Sequence, residues 1–219
     1  MDNETSFGNI YRQHSWKGDS KSGPGSDPSR TVDYRAALQH FMRTHEVESV
    51  VDLGCGDWAS SQLIDWSGID YLGLDVVPGI IEANRRKFGA SGIRFETIDA
   101  ANDPLPAADL LLVKEVLQHL PSADVMAILG KLPGFRWAIL TNDIEHATRR
   151  KGWRFWSWSP FRHSNTDAAA GGYRLLALRE APFNLRAEVL VNYTNRYRNM
   201  RWQKEVLLWS RDGSDWTAS

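Results

Sequence analysis

The chain has 219 residues, enough for one domain with a full apolar core. Its formal net charge of -1 gives no overall bias toward nucleic acid or an anionic membrane, and its one cysteine, Cys55, excludes an internal disulfide framework. No apolar run approaches the ~20 residues of a membrane-spanning helix, and Met1-Asp2-Asn3-Glu4 lacks the basic start and apolar stretch of a signal peptide, so a cytoplasmic location is expected.

Residues 1–33 lack apolar periodicity and include the run Ser22-Gly23-Pro24-Gly25-Ser26-Asp27-Pro28-Ser29. Such a segment reads either as a disordered tail or as a lid, with its glycines allowing close approach and Trp16 offering a flat surface. The domain itself spans 34–219. A helix over Val32 to His45, capped by Ser29 or Thr31, carries Tyr34, Leu38 and Phe41 on one face. Ser49 to Leu53 is a short apolar run stopped by glycine, as in a buried parallel strand. Gly54 and Gly56 let the backbone turn sharply and come close to a ligand, and Ala59 to Trp66 is expected to begin a helix whose amides face that ligand.

Asp70 to Asp75 follows as a second strand, and Pro78 opens a helix over Gly79 to Phe88. Ile93 to Thr97, Asp109 to Val113 and Trp137 to Thr141 supply three more strands, with a Lys114 to Leu120 turn and helix and another helix from Pro121-Ser122 between the last two. Alternating strands and helices imply a parallel, doubly wound α/β sheet. Ala187 to Tyr193 and Lys204 to Trp209 then read as a closing pair of strands, joined by a connection carrying Arg196, Arg198 and Arg201.

Two nucleotide ligands suit the glycine turn. Gly54-x-Gly56-x-x-Ala59, with Asp75 ending the next strand, fits the dinucleotide fingerprint and an NAD-dependent oxidoreductase. Asp52, just before the first glycine, opposes a pyrophosphate and suits a ligand with an amino group or cationic centre. In Asp52-Leu53-Gly54-Cys55-Gly56 the chain resembles the class I S-adenosylmethionine-dependent methyltransferases, whose first motif reads acidic-x-Gly-x-Gly; Trp58 stands where a third glycine is common. The resemblance spans Tyr34 to Arg211. It implies a Rossmann-like doubly wound seven-stranded sheet with an antiparallel C-terminal strand, matching the closing strand pair.

Ligands of such sheets sit beyond the C-terminal strand ends. The resemblance implies S-adenosyl-L-methionine as cofactor, with Asp52 receiving its amino end, Asp75 the ribose hydroxyls, and Asp99 with the Ala100 amide the adenine edge. Gly54 and Gly56 shape the turn, Trp58 packs on the methionine portion or in the core, and the segment from Lys114 lines the methyl group. On the acceptor side, His119 is the candidate base because an unperturbed imidazole titrates near working pH. Asn142 and Asp143, at the expected end of the fifth strand, would orient or deprotonate an acceptor. Glu115 with Asn142 and Asp143 could supply oxygen ligands to Mg²⁺, although Lys114 disfavours this, and no metal is expected.

Arg149-Arg150-Lys151 with Trp153, Arg154, Phe155, Trp156 and Trp158 combines arginines and aromatics. That pattern fits a substrate lid over a sugar or small anion, and less well a nucleic-acid groove, given the net charge. The expected function is methyl transfer to oxygen or nitrogen of a small-molecule or sugar-containing metabolite. The alternatives are the same fold acting on RNA or protein, the NAD-dependent oxidoreductase, and a cofactor-binding subunit that catalyses nothing.

Overall fold

The structure is a computed structural model describing residues 2–13, 15–16, 20–151, 156–162 and 165–213. Its elements run α1 (Asn3–Gln13), α2 (Val32–Thr44), β1 (Ser49–Leu53), β2 (Asp70–Asp75), α3 (Pro78–Phe88), β3 (Ile93–Thr97), β4 (Ala108–Lys114), α4 (Ser122–Leu129), β5 (Phe135–Lys151), β6 (Trp156–Arg162), β7 (Glu188–Tyr197) and β8 (Met200–Ser210). One sheet has the order β3-β2-β1-β4-β5-β8-β7. The strands β1 to β5 are mutually parallel, and β8 enters antiparallel between β5 and β7.

Each central strand feeds two cores, because successive side chains leave opposite faces. Val51, Leu53, Leu111, Val113 and Leu140 join one cluster, covered by Val125 and Ile128 of α4. Val50, Tyr71, Leu110, Leu112 and Ile139 join the other, beneath Tyr34, Leu38, Phe41 and Met42 of α2. Those α2 positions repeat every three or four residues, which makes one apolar stripe.

Three expectations are corrected. The span Ala59 to Trp66 holds no α-helix, only a 3-10 turn at Ser61–Leu63. Trp58 takes a positive φ of 57° and buries its ring beside Tyr71, Phe88 and Phe95, while Ser60 Oγ donates to Thr31 Oγ1 at 2.7 Å. These anchors fix the chain in a non-helical path. The Lys114 to Leu120 segment likewise forms only a 3-10 turn, Leu117–His119. The fifth strand does not stop at Thr141: it runs 17 residues to Lys151 and pairs antiparallel with β6, giving an eighth strand. Of the Trp-rich segment, Trp153, Arg154 and Phe155 lie outside the described residues, as do the side chains of Arg149, Arg150, Lys151, Trp156 and Trp158.

The N-terminal segment, in its described part, is no disordered tail. Phe7 of α1 is buried in the first core, which stabilises the docked helix by about 1.5–3 kcal/mol. Beyond α1, Ser20 Oγ and the Lys21 amide donate to the Asp57 carboxylate at 2.9 and 2.8 Å. Lys114 Nζ donates to the Gly25 carbonyl at 2.8 Å.

Candidate active site

Two adjoining cavities open beyond the C-terminal ends of β1, β2 and β4. The first lies on the Leu53 face of the sheet. Asp75 lines it, as does the loop Ile98-Asp99-Ala100-Ala101 after β3. Phe7, Tyr11 and Trp16 of the N-terminal segment close it.

Asp75 is buried, and two backbone amides fix its plane: Gly56 N–H donates to Oδ2 at 3.1 Å and Val77 N–H to Oδ1 at 3.0 Å. Each oxygen retains a lone pair for a further donor. Burial lifts its pKa to about 6 against the pull of those amides, so the group is ionised at pH 7. Asp99 accepts from Ala101 N–H at 3.1 Å and from Asn102 Nδ2 at 2.9 Å, making it a turn aspartate and a cavity wall at once. Asn3 Nδ2 reaches the same carboxylate at 3.3 Å.

Three expected cofactor residues, Asp52, Gly56 and Trp58, are not among those lining this cavity. Asp52 leaves β1 on the Val50 face, where Tyr71 donates its hydroxyl at 2.6 Å and Ser61 Oγ lies at 3.3 Å. Burial raises Asp52 to about 6, with the Tyr71 hydrogen bond opposing. Trp58 is a core residue, its indole N–H donating to Tyr71 at 2.8 Å. The two glycines also divide their work. A Cβ on Gly54 (φ 69°) would collide with Val116, which lines the cavity. A Cβ on Gly56 (φ 56°) would strike Ser22, so the close approach there belongs to the N-terminal segment. Ser22 Oγ accepts the Asp57 N–H at 2.8 Å and bonds with the Tyr11 hydroxyl at 2.9 Å.

The second cavity shares Trp16, Ser22, Glu115 and His119 with the first and adds Gln118, Asp143, Tyr173, Asn195, Trp202 and Lys204. His119 is therefore a common wall. Its Nδ1 lies 2.6 Å from the Gly172 carbonyl, which can only accept, so Nδ1 carries the proton and Nε2 keeps the lone pair. Burial lowers its pKa, with that carbonyl opposing. The ring stands 5.4 Å from Trp16 and 5.8 Å from Tyr173.

Asp143 lines the second cavity; Asn142 does not. Because β5 continues as a strand, neighbouring residues leave opposite faces, and Asn142 is buried in neither cavity with Oδ1 unpartnered. Asp143 Oδ1 accepts from Lys204 Nζ at 2.6 Å, and its Oδ2 accepts from the Tyr173 hydroxyl at 3.0 Å. Lys204 also meets Glu115 at 2.8 Å, and Lys114 stands 3.4 Å from Glu115. Burial alone would raise Glu115, but Lys204 and Lys114 outweigh it and hold the carboxyl at about 2. Lys204, which burial alone would lower, is raised by Asp143 and Glu115.

Lys204 and Glu115 are the important residues that sequence reasoning did not place in the site as a pair. Glu115 has a positive φ of 59°, costly for a residue with a Cβ. Gly25 lies so close to its carboxylate that no Cβ would fit there. The Lys204 ammonium occupies the position between Glu115 and Asp143 that Mg²⁺ would take. Among the described residues, no cluster of three acidic, histidine or cysteine side chains could hold a metal, and no helix is long and apolar enough to cross a membrane.

Strand order, glycine turn and cleft together define the class I methyltransferase fold. Residues 51–132 match a family model described as a methyltransferase domain. Magnesium protoporphyrin IX methyltransferase (ChlM) from Synechocystis PCC 6803 with bound SAH is similar over 95% of this chain and 95% of that one, at 16% identity and a TM-score of 0.57. The glycopeptide N-methyltransferase MtfA complexed with S-adenosyl-L-methionine is similar over 82% of this chain and 94% of that one, at 14% identity and a TM-score of 0.50. The chain spans 65% of the methyltransferase domain of bacterial CtHen1, at 19% identity over 51% of its own length and a TM-score of 0.45. No curated protein sequence matches it. At these identities the structural likeness is one of fold. Residues 51–132 thus match a methyltransferase domain, and the chain as a whole shares the fold of these methyltransferases.

Proposed function

We propose that the chain transfers a methyl group from S-adenosyl-L-methionine to an oxygen or nitrogen of a small-molecule acceptor. The observation that carries this reading is the meeting of two cavities at His119. One offers the ribose hydroxyls an acceptor, the ionised Asp75 carboxylate, and is lined as well by Asp99 and Ala100. The other presents polar groups beside the same imidazole.

In the first cavity Asp75 would accept the ribose hydroxyls and the Asp99-Ala100 turn would meet the adenine edge. Lys114 and Glu115 would border the methionine end, with Asp52 supporting the turn from the far face through Tyr71. The cofactor would supply an electrophilic methyl carbon whose bonding pair to sulfur stays on sulfur as the acceptor's lone pair forms the new bond. The protein's task is then positioning. His119 Nε2 takes the proton from an acceptor O–H or N–H, and the Gly172 carbonyl keeps the imidazole in the tautomer able to do so. Phe7, Tyr11 and Trp16 act as a lid that excludes water.

Calorimetric titration with S-adenosylmethionine, S-adenosylhomocysteine and NADH tests the cofactor. Binding of both adenosyl ligands and not NADH is expected; binding of NADH alone would overturn the reading. His119→Gln should reduce kcat by roughly 10²–10⁴-fold, the usual range for a general base. Undiminished turnover in a folded variant would remove His119 from that role.

A further inference from the structure

The second cavity has features that narrow the acceptor, and the argument rests on the methyltransferase reading above. Three aromatic rings, Trp16, Tyr173 and Trp202, line it. Among the described residues its charges pair off: Arg30 with Asp27 at 3.5 Å, Lys204 with Asp143 and Glu115, and Lys114 with Glu115. No formal charge is left for a charged acceptor, and bringing one in would mean burying it unpaired. Two buried polar atoms of its lining lack a hydrogen bond: Glu115 Oε1, which still faces Lys114 Nζ at 3.4 Å, and an amide donor. Asn195 is 5% exposed and lines the cavity, and its Nδ2 has no hydrogen-bond partner. A buried amide donor without a partner is costly unless a ligand oxygen meets it.

We infer that this cavity seats an uncharged aromatic ring carrying a hydroxyl group, with the hydroxyl toward His119 and a second oxygen accepting from Asn195 Nδ2. The ring packs against the aromatic walls, which favours a flat, apolar body over a puckered polar one. The reacting hydroxyl gives its proton to Nε2 while the oxygen keeps the electron pair. Asn195 is a positioning residue, since it holds the end of the ring away from the methyl group.

The test uses the full chain saturated with S-adenosylhomocysteine, with probe binding read from tryptophan fluorescence and turnover read separately with S-adenosylmethionine. The probes are 4-hydroxybenzaldehyde, 4-hydroxybenzoate, 4-hydroxybenzylamine and methyl glucoside. The aldehyde should bind at least about tenfold tighter than the two charged analogues, equivalent to roughly 1.4 kcal/mol, and methyl glucoside should bind weakest. In Asn195→Leu its affinity should fall by about three- to tenfold and KM should rise more than kcat falls, as for one lost hydrogen bond. Asn195→Ala, which adds no charge, should weaken it similarly. Preference for the carboxylate, the amine or the sugar would overturn the inference, as would unchanged aldehyde affinity in both Asn195 variants. If S-adenosylhomocysteine binds and the aldehyde does not, the acceptor inference fails alone. If S-adenosylhomocysteine itself does not bind, the methyltransferase reading fails and takes the inference with it.

Discussion

Lys204→Met would remove the one ammonium that touches both Asp143 and Glu115, at 2.6 and 2.8 Å, inside a site where Lys204 is 2% exposed. Methionine fills a similar volume, so packing is largely kept and the change is electrostatic. Two buried carboxylates then lose their shared cation; Glu115 keeps the 3.4 Å contact with Lys114, and Asp143 keeps only neutral donors, the Tyr173 hydroxyl and the Gln118 amide. Breaking a buried pair in this way costs about 3–5 kcal/mol. At roughly 2–4 °C per kcal/mol for a chain of this size, the melting temperature should fall by about 6–20 °C. The pH dependence supplies the sign. Glu115 is depressed to about 2 in the wild type, so its contribution is present above its ordinary 4.5 and is lost as pH falls through 2. In the variant, burial is left largely unopposed and the folded pKa rises, so the variant gains stability as pH falls. The deficit measured by urea unfolding should therefore be larger at pH 7 than at pH 5. The triple variant Lys204→Met/Glu115→Gln/Asp143→Asn should recover part of it. A loss below about 1 kcal/mol at pH 7, or one independent of pH, would refute the reasoning.

Asp75→Ala should weaken S-adenosylhomocysteine binding by about 1.5–3 kcal/mol, the value of hydrogen bonds to a charged group; unchanged affinity in a folded variant would end the ribose assignment. Since the Asp75 carboxyl titrates near 6, wild-type affinity should fall by roughly tenfold from pH 7 to pH 5 if only the ionised form binds, and a flat profile would contradict this. Gly56→Ala should displace Ser22, because the added methyl meets its hydroxyl and the residue must hold φ 56°. Faster tryptic cleavage at Lys21 would register that displacement, and wild-type resistance would show that the contact is dispensable.

The sheet was legible in the sequence because its strands are apolar runs ended by glycine or acid. Ile93 to Thr97 and Asp70 to Asp75 hold to the residue. The extension of β5 was not, because beyond Thr141 its residues are mostly polar or charged even where Asn142 and Asp143 are buried, and they pair with β8 and β6 through backbone bonds that no side-chain pattern announces. Helix α1 left a trace in the spacing of Phe7, Ile10 and Tyr11, diluted by polar neighbours. Asp75, Asp99 and His119 lie on cavity walls, as the position of strand ends and their loops leads one to expect. Asp52 does not line them, because one residue of strand alternation turns it to the other face. Lys204 was hidden for a different reason: its carboxylates lie 61 and 89 residues earlier in the chain, and nothing local marks a strand lysine as buried.

Trp16, His119 and Glu115 belong to the walls of both cavities. Whatever one ligand does to order those three side chains alters the free energy with which the other is received, and the coupling factor is the same in either direction. Titrations of acceptor into the empty and the S-adenosylhomocysteine-bound protein should therefore give two affinities whose ratio is reproduced when the order of addition is reversed.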